Sequence, residues 1–371
     1  MSAPIKIGVD ATFLQRDRRG MGRVLRSVLN EWKKSFDHEL VLLVKEKRHI
    51  AELEDSPYAK WDIRVSSKAN NLDVCWFPWN RVDWEPDCPA AVTIYDVAPF
   101  TDFHPKNRHL AEDQERLLTA AEKADRIITT SNFSRLEMHR HLNCDIAQVD
   151  VVPLGHDPVF HPHSNQYLDP FFAERIGEKP YMLYVGNTEP RKNLGGLLEA
   201  FMLLENQIES RLLLVSSKPS APTWTDRLRG KTDPLTGSIS RLEDRLIWLE
   251  GIDDATLAEL YRRCQVFVMP SYYEGFGLPL LEAMACGAST AAARAASLPE
   301  VGGEIPYWFA PSDPVDIARA IMEAIDEPNG QEGVERAGEF TWESSAKELS
   351  RILEDMAGRP QKASPAQEPL P

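Results

Sequence analysis

The chain has 371 residues, 43% hydrophobic and 27% charged, with a net charge of −15. That length suits two domains of about 150 to 180 residues each. The acidic balance argues against general nucleic-acid binding, and no apolar run approaches the ~20 residues of a membrane-spanning helix. The five cysteines are scattered and form no CxxC pair, so neither a disulfide framework nor a zinc site is indicated. The N-terminus reads directly into a strand, without an apolar segment of signal-peptide length. A reducing, cytoplasmic setting is expected.

The first strand is Ile5–Val9. An Arg- and Gly-rich loop follows, Arg16-Asp-Arg-Arg-Gly-Met-Gly-Arg23. Val24, Leu25, Val28, Leu29 and Trp32 then recur at helical spacing, which predicts an amphipathic helix to about residue 35. Residues 1–50 hold 11 Lys/Arg against 6 Asp/Glu, a net +5 inside an acidic protein. Two readings fit that excess: a solvated helix face, or a basic face for an anionic substrate or membrane surface. Strands are expected at Glu39–Val44, Val74–Phe77, Ala91–Tyr95, Arg126–Thr130 and Val149–Val152, with helices at 108–123 and Asn132–His141. Pro158 to Pro180 has no clear period and reads as a linker.

The alternation then restarts. Strands are predicted at Tyr181–Val185, Arg211–Ser216, Leu246–Leu249 and Val266–Met269. Helices are predicted at Asn193–Leu204, Ala255–Arg263, Leu278–Ala285, 314–326 and 343–356. A surface loop is expected at 217–240 and a disordered tail from Gly358. Alternating strands and helices imply parallel sheets covered on both faces, so the fold class is α/β with two such units in tandem. Open α/β sheets bind ligands at the carboxyl ends of their strands.

Four stretches carry chemistry. The strongest is Pro270-Ser-Tyr-Tyr-Glu-Gly-Phe-Gly-Leu-Pro-Leu-Leu-Glu-Ala-Met-Ala-Cys-Gly287. Gly275 and Gly277 allow a close backbone approach to a ligand. Pro279 suits a first helical turn and Gly287 a helix stop. The helix N-terminus would then face an anion such as a diphosphate. Glu274 before the loop and Glu282, read as lying in the first turn, can each accept two hydrogen bonds from a sugar diol. The alternative is a plain strand–turn–helix corner with Glu274 as a solvated cap. The second stretch is Val185-Gly-Asn-Thr-Glu-Pro-Arg-Lys-Asn193. Arg191 and Lys192 at a helix start oppose its dipole, a conflict that an anionic ligand would resolve; an ordinary solvated basic pair is the alternative. The third is Gly20-Met-Gly-Arg23, which lacks both the GxGxxG and P-loop endings. The fourth places Asp96 just past a strand, either as an orienting or proton-accepting carboxylate or as a turn aspartate bonding its own backbone. Thr129-Thr-Ser-Asn-Phe-Ser134 reads as a helix cap. His104, His156 and the other histidines fit no metal spacing, and there is no Asp-x-Asp.

Glu274-Gly-Phe-Gly-Leu-Pro-Leu-Leu-Glu282 resembles the E-x7-E signature of retaining glycosyltransferases of family 4, the glycosyltransferase group 1 family. The resemblance extends to Val185-Gly…Arg-Lys-Asn193, to Glu259-Leu-Tyr-Arg-Arg-Cys-Gln-Val-Phe-Val-Met-Pro-Ser271, to Ser297-Leu-Pro-Glu-Val301, to Gly-Met-Gly-Arg23 and to Val151-Val-Pro-Leu-Gly155. It implies the GT-B fold, two Rossmann-like doubly wound domains facing across a cleft. The implied bounds are 1–165 for the acceptor side, 166–342 for the nucleotide-sugar side, and 343–357 for a helix crossing back. It also implies transfer of a hexose with retention, without a cofactor or a required metal. The donor would be a nucleotide-diphosphate sugar, with GDP-mannose favoured by the family. The acceptor would be a glycan or lipid-linked glycan in cell-surface polysaccharide (lipopolysaccharide) synthesis, with peripheral inner-membrane contact through the basic 16–34 segment.

By the same resemblance, Arg191 and Lys192 would hold the donor diphosphate, and Gly186 is among the substrate-binding residues. Glu274 and the amides of Gly275, Phe276, Gly277 and Leu278 would hold the donor sugar, and Glu282 the ribose. Gly20 and Gly22 would face the diphosphate and reaction centre. Glu274, Asp96, Arg191 and Lys192 are the expected catalytic group. Two departures stand out. Tyr95-Asp96 replaces the family's His-Asp, so that Tyr95 would supply a hydroxyl. Gly287-Ala-Ser-Thr-Ala replaces Gly-x-Pro-Val. A nucleotide-sugar epimerase and a non-catalytic sugar-nucleotide-binding partner are the rival readings.

Overall fold

A computed structural model describes residues 4–17, 20–105, 109–163, 170–218 and 235–358. It contains two parallel sheets. One has seven strands: β1 (Lys6–Asp10), β2 (Glu39–Val44), β3 (Asp62–Val65), β4 (Val74–Phe77), β5 (Ala90–Thr93), β6 (Arg126–Thr129) and β7 (Val149–Val151), in the order β3-β2-β1-β4-β5-β6-β7. The other has six: β8 (Tyr181–Val185), β9 (Arg211–Val215), β10 (Leu246–Leu249), β11 (Val266–Met269), β12 (Thr290–Ala293) and β13 (Tyr307–Phe309), in the order β10-β9-β8-β11-β12-β13. Every pairing is parallel. The central strands are apolar on both faces because helices cover both, and β4, β5, β11 and β12 are buried throughout. In each sheet the order reverses beside the first strand, between β1 and β4 and between β8 and β11, which fixes the two ligand-binding edges.

The chain forms two compact units. Unit 1 takes Met1–Val97, Arg108–Gly155 and Trp342–Pro371; unit 2 takes Ala98–Asn107 and His156–Thr341. In unit 1, helix Met21–Ser35 buries Val24, Leu25, Val28, Leu29 and Trp32, the positions its spacing selects. Helix Trp342–Ala357 packs against it. Ser345 Oγ donates to the Pro153 carbonyl at 2.6 Å, and His38 Nε2 lies 3.0 Å from Glu354 Oε1. Helix Asn132–His141 starts at the expected cap: the Ser131 hydroxyl accepts from Ser134 N at 3.1 Å.

Several elements differ from the sequence reading. Strand β1 runs one residue further, which places Asp10 inside it. Strands β3, β12 and β13 and helices Lys47–Glu54 and Gly330–Ala337 were not anticipated. The expected linker contains helix Pro170–Ile176, and the loop at 217–240 contains helix Thr236–Arg241. The rest of that loop (219–234), residues 164–169 of the linker and the tail beyond Gly358 lie outside the described residues. No helix among the described residues is long and apolar enough to cross a membrane. All five cysteines are free, with Cys88 Sγ 3.4 Å from Cys75 Sγ.

Candidate active site

In unit 2, β11 leads into the 270–277 turn and helix Leu278–Ala285. Gly277 is the helix N-cap at φ +107°, a backbone region that L side chains rarely adopt. A Cβ there would also lie 2.6 Å from Leu298 Cδ2, so two independent constraints demand glycine. Pro279 occupies the first turn, as its fixed φ favours. Gly287 ends the helix at φ +75°, with Ala288 N donating to Ala283 O at 3.0 Å and Gly287 N to Met284 O at 2.9 Å. Ser297 is fully buried, and its hydroxyl lies 2.9 Å from the carbonyls of both Glu274 and Phe276, tying down the turn from behind.

The strand β8 connection arrives beside this turn. Pro190–Lys192 forms one 3₁₀ turn, and Asn193 follows in the left-handed region at φ +52° as N-cap of helix Leu194–Leu203. The Asn193 amide accepts from Gly196 N at 3.2 Å and donates to the carbonyls of Pro270 and Pro311 at 3.0 and 2.6 Å. That buried amide joins the two loops. Tyr272 N donating to Arg191 O at 2.8 Å joins them again.

Between these loops lies an ion cluster. Lys192 Nζ is 2.6 and 2.8 Å from the two Glu274 oxygens, and Arg191 Nη1 is 3.5 Å from Oε2. Arg191 Nε also donates to Glu189 at 2.7 Å. Glu274 is 6% exposed. Burial alone would raise its pKa. The Lys192 and Arg191 charges, with hydrogen bonds from Lys192 and Ser271, outweigh burial and hold it below the usual carboxylate range.

The sequence placed Arg191 and Lys192 at a helix start, with an external anion to resolve their conflict with the dipole. They stand instead on a separate turn before the cap, and their anion is Glu274 itself. Glu282 lies in the second turn of helix Leu278–Ala285, since the helix begins at Leu278. It is buried, and the Tyr261 hydroxyl donates to Oε2 at 3.3 Å. Gly186 follows β8, where a Cβ would meet the Tyr184 hydroxyl at 3.0 Å. Gly275, Phe276 and Leu278 complete the turn, Phe276 edge-on to Phe340 with centroids 5.9 Å apart. Asn193 and Ser297 were given no role from sequence. Their signal was an Asn directly before a predicted helix and a Ser beginning Ser-Leu-Pro-Glu.

Unit 1 holds the remaining candidates. Gly20 caps helix Met21–Ser35 at φ +51°, and a Cβ on Gly22 would lie 1.9 Å from the Asp17 carbonyl oxygen. Asp96 is half-buried after β5. The Tyr95 hydroxyl is buried without a hydrogen-bond partner among the described residues, and burial raises its pKa, with the Asp17 charge adding to the effect. Its backbone is fixed: Tyr95 N donates to Asn80 Oδ1 at 2.9 Å, and Ser134 Oγ donates to Tyr95 O at 3.2 Å.

A carboxylate was missed altogether. Asp10, 1% exposed, ends β1 at the switch point. Its Oδ1 accepts from Thr12 N and Oγ1 at 3.0 and 2.6 Å, while Oδ2 has no partner among the described residues.

Several of the N-terminal basic side chains are engaged locally. Arg16 pairs with Glu52, Lys6 with Glu39 and Lys34 with Glu31, and Arg26 donates to the carbonyls of Leu14 and Asp17.

The family model for glycosyl transferases group 1 matches residues 169–341. The O-antigen chain mannosyltransferase B of Escherichia coli is 32% identical over 265 residues, covering 69% of this chain and 67% of that protein. The serotype-specific mannosyltransferase WbdA of Escherichia coli is 29% identical over 283 residues, 72% of this chain but about a third (33%) of that longer protein. Among solved structures, Anabaena Alr3699/HepE in complex with UDP and glucose superposes with a TM-score of 0.70 at 14% identity. It covers 95% of this chain and 100% of that one, a likeness of fold.

Proposed function

This chain belongs to the glycosyl transferases group 1 family, and from that premise we propose that it moves a hexose from a nucleotide-diphosphate sugar to a hydroxyl of a glycan or lipid-linked glycan. Mannose from GDP-mannose is the favoured donor, and cell-surface polysaccharide of the O-antigen type the favoured product, since two relatives are named as mannosyltransferases. The carrying observation is the Lys192–Glu274–Arg191 cluster beside the N-terminus of helix Leu278–Ala285. The donor diphosphate takes over Lys192 and Arg191, and Glu274, so released, turns to the sugar hydroxyls. The two cations and the helix N-terminus offset the charge that develops as the glycosidic C–O bond breaks. These fixed positive groups take the place of a metal.

The acceptor hydroxyl attacks the same face through an oxocarbenium-like state, and the departing phosphate oxygen takes its proton, so configuration is retained. Glu282 accepts from the ribose hydroxyls. Gly20 and Gly22 present backbone to the diphosphate, and Asp96 orients the acceptor. The protein works in the cytoplasm. Contact with a membrane-borne acceptor would use Lys33 and the rest of segment 16–34, of which Arg18 and Arg19 lie outside the described residues.

A panel of GDP-, UDP- and dTDP-sugars read by thermal shift, with and without Mg²⁺, tests the donor. GDP-mannose is expected to raise the melting temperature most, by mass action and equally in both conditions. Release of GDP on addition of a mannoside acceptor then tests transfer. No shift and no turnover with any nucleotide sugar would sink the reading.

Tyr95→Phe separates function from folding. No hydrogen bond to a described residue is lost, so stability should stay within about 0.5 kcal/mol. Transfer should drop about tenfold if the hydroxyl serves a substrate group worth ~1.4 kcal/mol. Unchanged turnover would remove Tyr95 from the site.

A further inference from the structure

Unit 1 contains an open pocket of about 260 Å³ between the β4–β5 connection and helix Leu110–Lys123, walled by Arg81, Asp83, Glu112, Glu115, Arg116 and Thr119 among others. Arg81 and Asp83 follow the carboxyl end of β4, which neighbours β1 at the sheet's switch point. Ligands of open α/β sheets collect at such a place.

The walls carry both signs of charge, Arg81 and Arg116 against Asp83, Glu112 and Glu115. Arg116 donates to Asp113 at 2.9 Å and lies 3.4 Å from Glu112. Arg81 Nε lies 3.2 Å from Asp83 Oδ1. An anion would find the two guanidinium groups already facing carboxylates, and a cation would meet guanidinium. A neutral, hydroxyl-rich ligand suits both: hydroxyls donate to the carboxylate lone pairs and accept from the guanidinium N–H groups.

A second observation points the same way. The Arg81 Nε is buried, and its approach to Asp83 is too misaligned for a hydrogen bond, so that donor is unsatisfied. The guanidinium is held over Phe13, 5.4 Å from the ring centre, and Phe13 stands edge-on to Trp79 with centroids 5.6 Å apart. Asp10, whose buried Oδ2 has no partner among the described residues, is close enough to feel the charges of both Asp83 and Arg81. The cluster thus carries unsatisfied donor and acceptor capacity at one edge of the sheet.

We propose that this cavity is a subsite for one sugar unit of the glycan acceptor, with Arg81 and Asp83 reading its hydroxyls. The proposal rests on the glycosyltransferase reading and adds where in unit 1 the acceptor is held. The volume is below the ~300 Å³ at which small-molecule pockets begin, which favours a single ring over a longer segment.

Saturation-transfer NMR with α-mannobiose as probe, in the absence of nucleotide, tests it. The wild-type chain should bind. Asp83→Asn, which removes an acceptor, and Thr119→Phe, which fills the cavity without touching an ion pair, should each weaken binding at least tenfold. Both should keep the wild-type thermal shift with GDP, which also shows that they fold. Absence of mannobiose binding to the wild type, or equal binding by both variants, overturns the subsite. Failure of the donor reading is a separate outcome: no nucleotide sugar shifts the melting temperature or is cleaved, whatever mannobiose does.

Discussion

Glu274→Gln should lower glycosyl transfer by about 10²-fold, the scale of a misplaced reacting group, while free GDP binds more tightly than to the wild type. The two effects have one origin. In the unliganded protein the Glu274 carboxylate holds Lys192 at 2.6 Å and Arg191 at 3.5 Å. A diphosphate must compete with that carboxylate for both cations. Glutamine keeps the shape and removes the competing charge, leaving half-buried Lys192 short of an anion while Arg191 keeps Glu189 at 2.7 Å. Breaking one partner out of a buried pair costs roughly 3–5 kcal/mol, so the apo variant should also melt earlier and recover more on adding GDP. The pKa shift gives the companion pH dependence. The folded pKa of Glu274 is depressed, so its stabilising contribution is present above the unfolded value of 4.5 and fades as pH falls through the folded value. The melting difference between wild type and Glu274→Gln should therefore shrink on acidification. Calorimetry with GDP and a transfer assay decide the matter. Equal GDP affinity in the two proteins would show that Glu274 does not compete for the cations.

Asp10→Asn should act in the opposite sense, stabilising the protein at pH 8 and costing it about 1 kcal/mol near pH 4, where the aspartate is neutral in the folded protein and only the unsatisfied amide counts. Burial pushes the Asp10 carboxyl up to about 6, against the hydrogen bonds from Thr12 that work to lower it. A raised folded pKa means that the folded protein binds the proton more tightly than the unfolded chain. The ionised group therefore opposes folding fully above about pH 6 and not at all below its unfolded value of 3.8. Between those limits the shift corresponds to about 3 kcal/mol, and since Asp10 is 1% exposed, solvent offers little relief. Asparagine retains an oxygen for Thr12 and carries no charge, but its amide N–H₂ inherits an empty place. A gain of roughly 1–2 kcal/mol is the expected net, after the ~1 kcal/mol or more of an unsatisfied donor. Melting curves of both proteins from pH 4 to pH 8 give the answer. A difference that stays flat with pH, or that favours aspartate at pH 8, would rule out a strained carboxylate.

The elements that sequence revealed are those whose signal is local. The apolar stripe from Val24 to Trp32 fixes a helix wherever it packs, and the β-branched run ending at Val9 fixes a strand. Pro279 and Gly287 were legible because each answers a backbone requirement of its own, a first-turn position and a helix stop; Gly277 was read for a close backbone approach, and its positive φ belongs to the structure. Strand β12, Thr-Ala-Ala-Ala, was hidden because alanine has little strand preference; the sheet on either side recruits it. The pairing of Glu274 with Lys192 and Arg191 was half legible. All three stood out as candidate ligand-binding residues, but their separation of 82 and 83 positions kept the pairing itself out of sight. Without it, Glu274 looked like a free hydroxyl acceptor and not the partner of two cations. Asp10 escaped because an acid after Ile-Gly-Val looks like the first loop residue. Only the register against Leu43 makes it the last residue of β1, where burial changes its chemistry.

Helix Trp342–Ala357 also has a consequence during synthesis. It covers part of helix Met21–Ser35 and is pinned to Pro153 and His38. The strands of unit 1 are complete once Val151 has been made, yet this helix emerges some 190 residues later. At ribosomal speeds of ~5–20 residues/s the delay is on the order of 10–40 s. Through that interval the N-terminal unit waits with apolar surface uncovered while most of unit 2 is translated and folds. The nascent chain is thus exposed to aggregation over that window. A ribosome stalled shortly before residue 342 should release a chain whose second unit is folded and whose first is a client for chaperones.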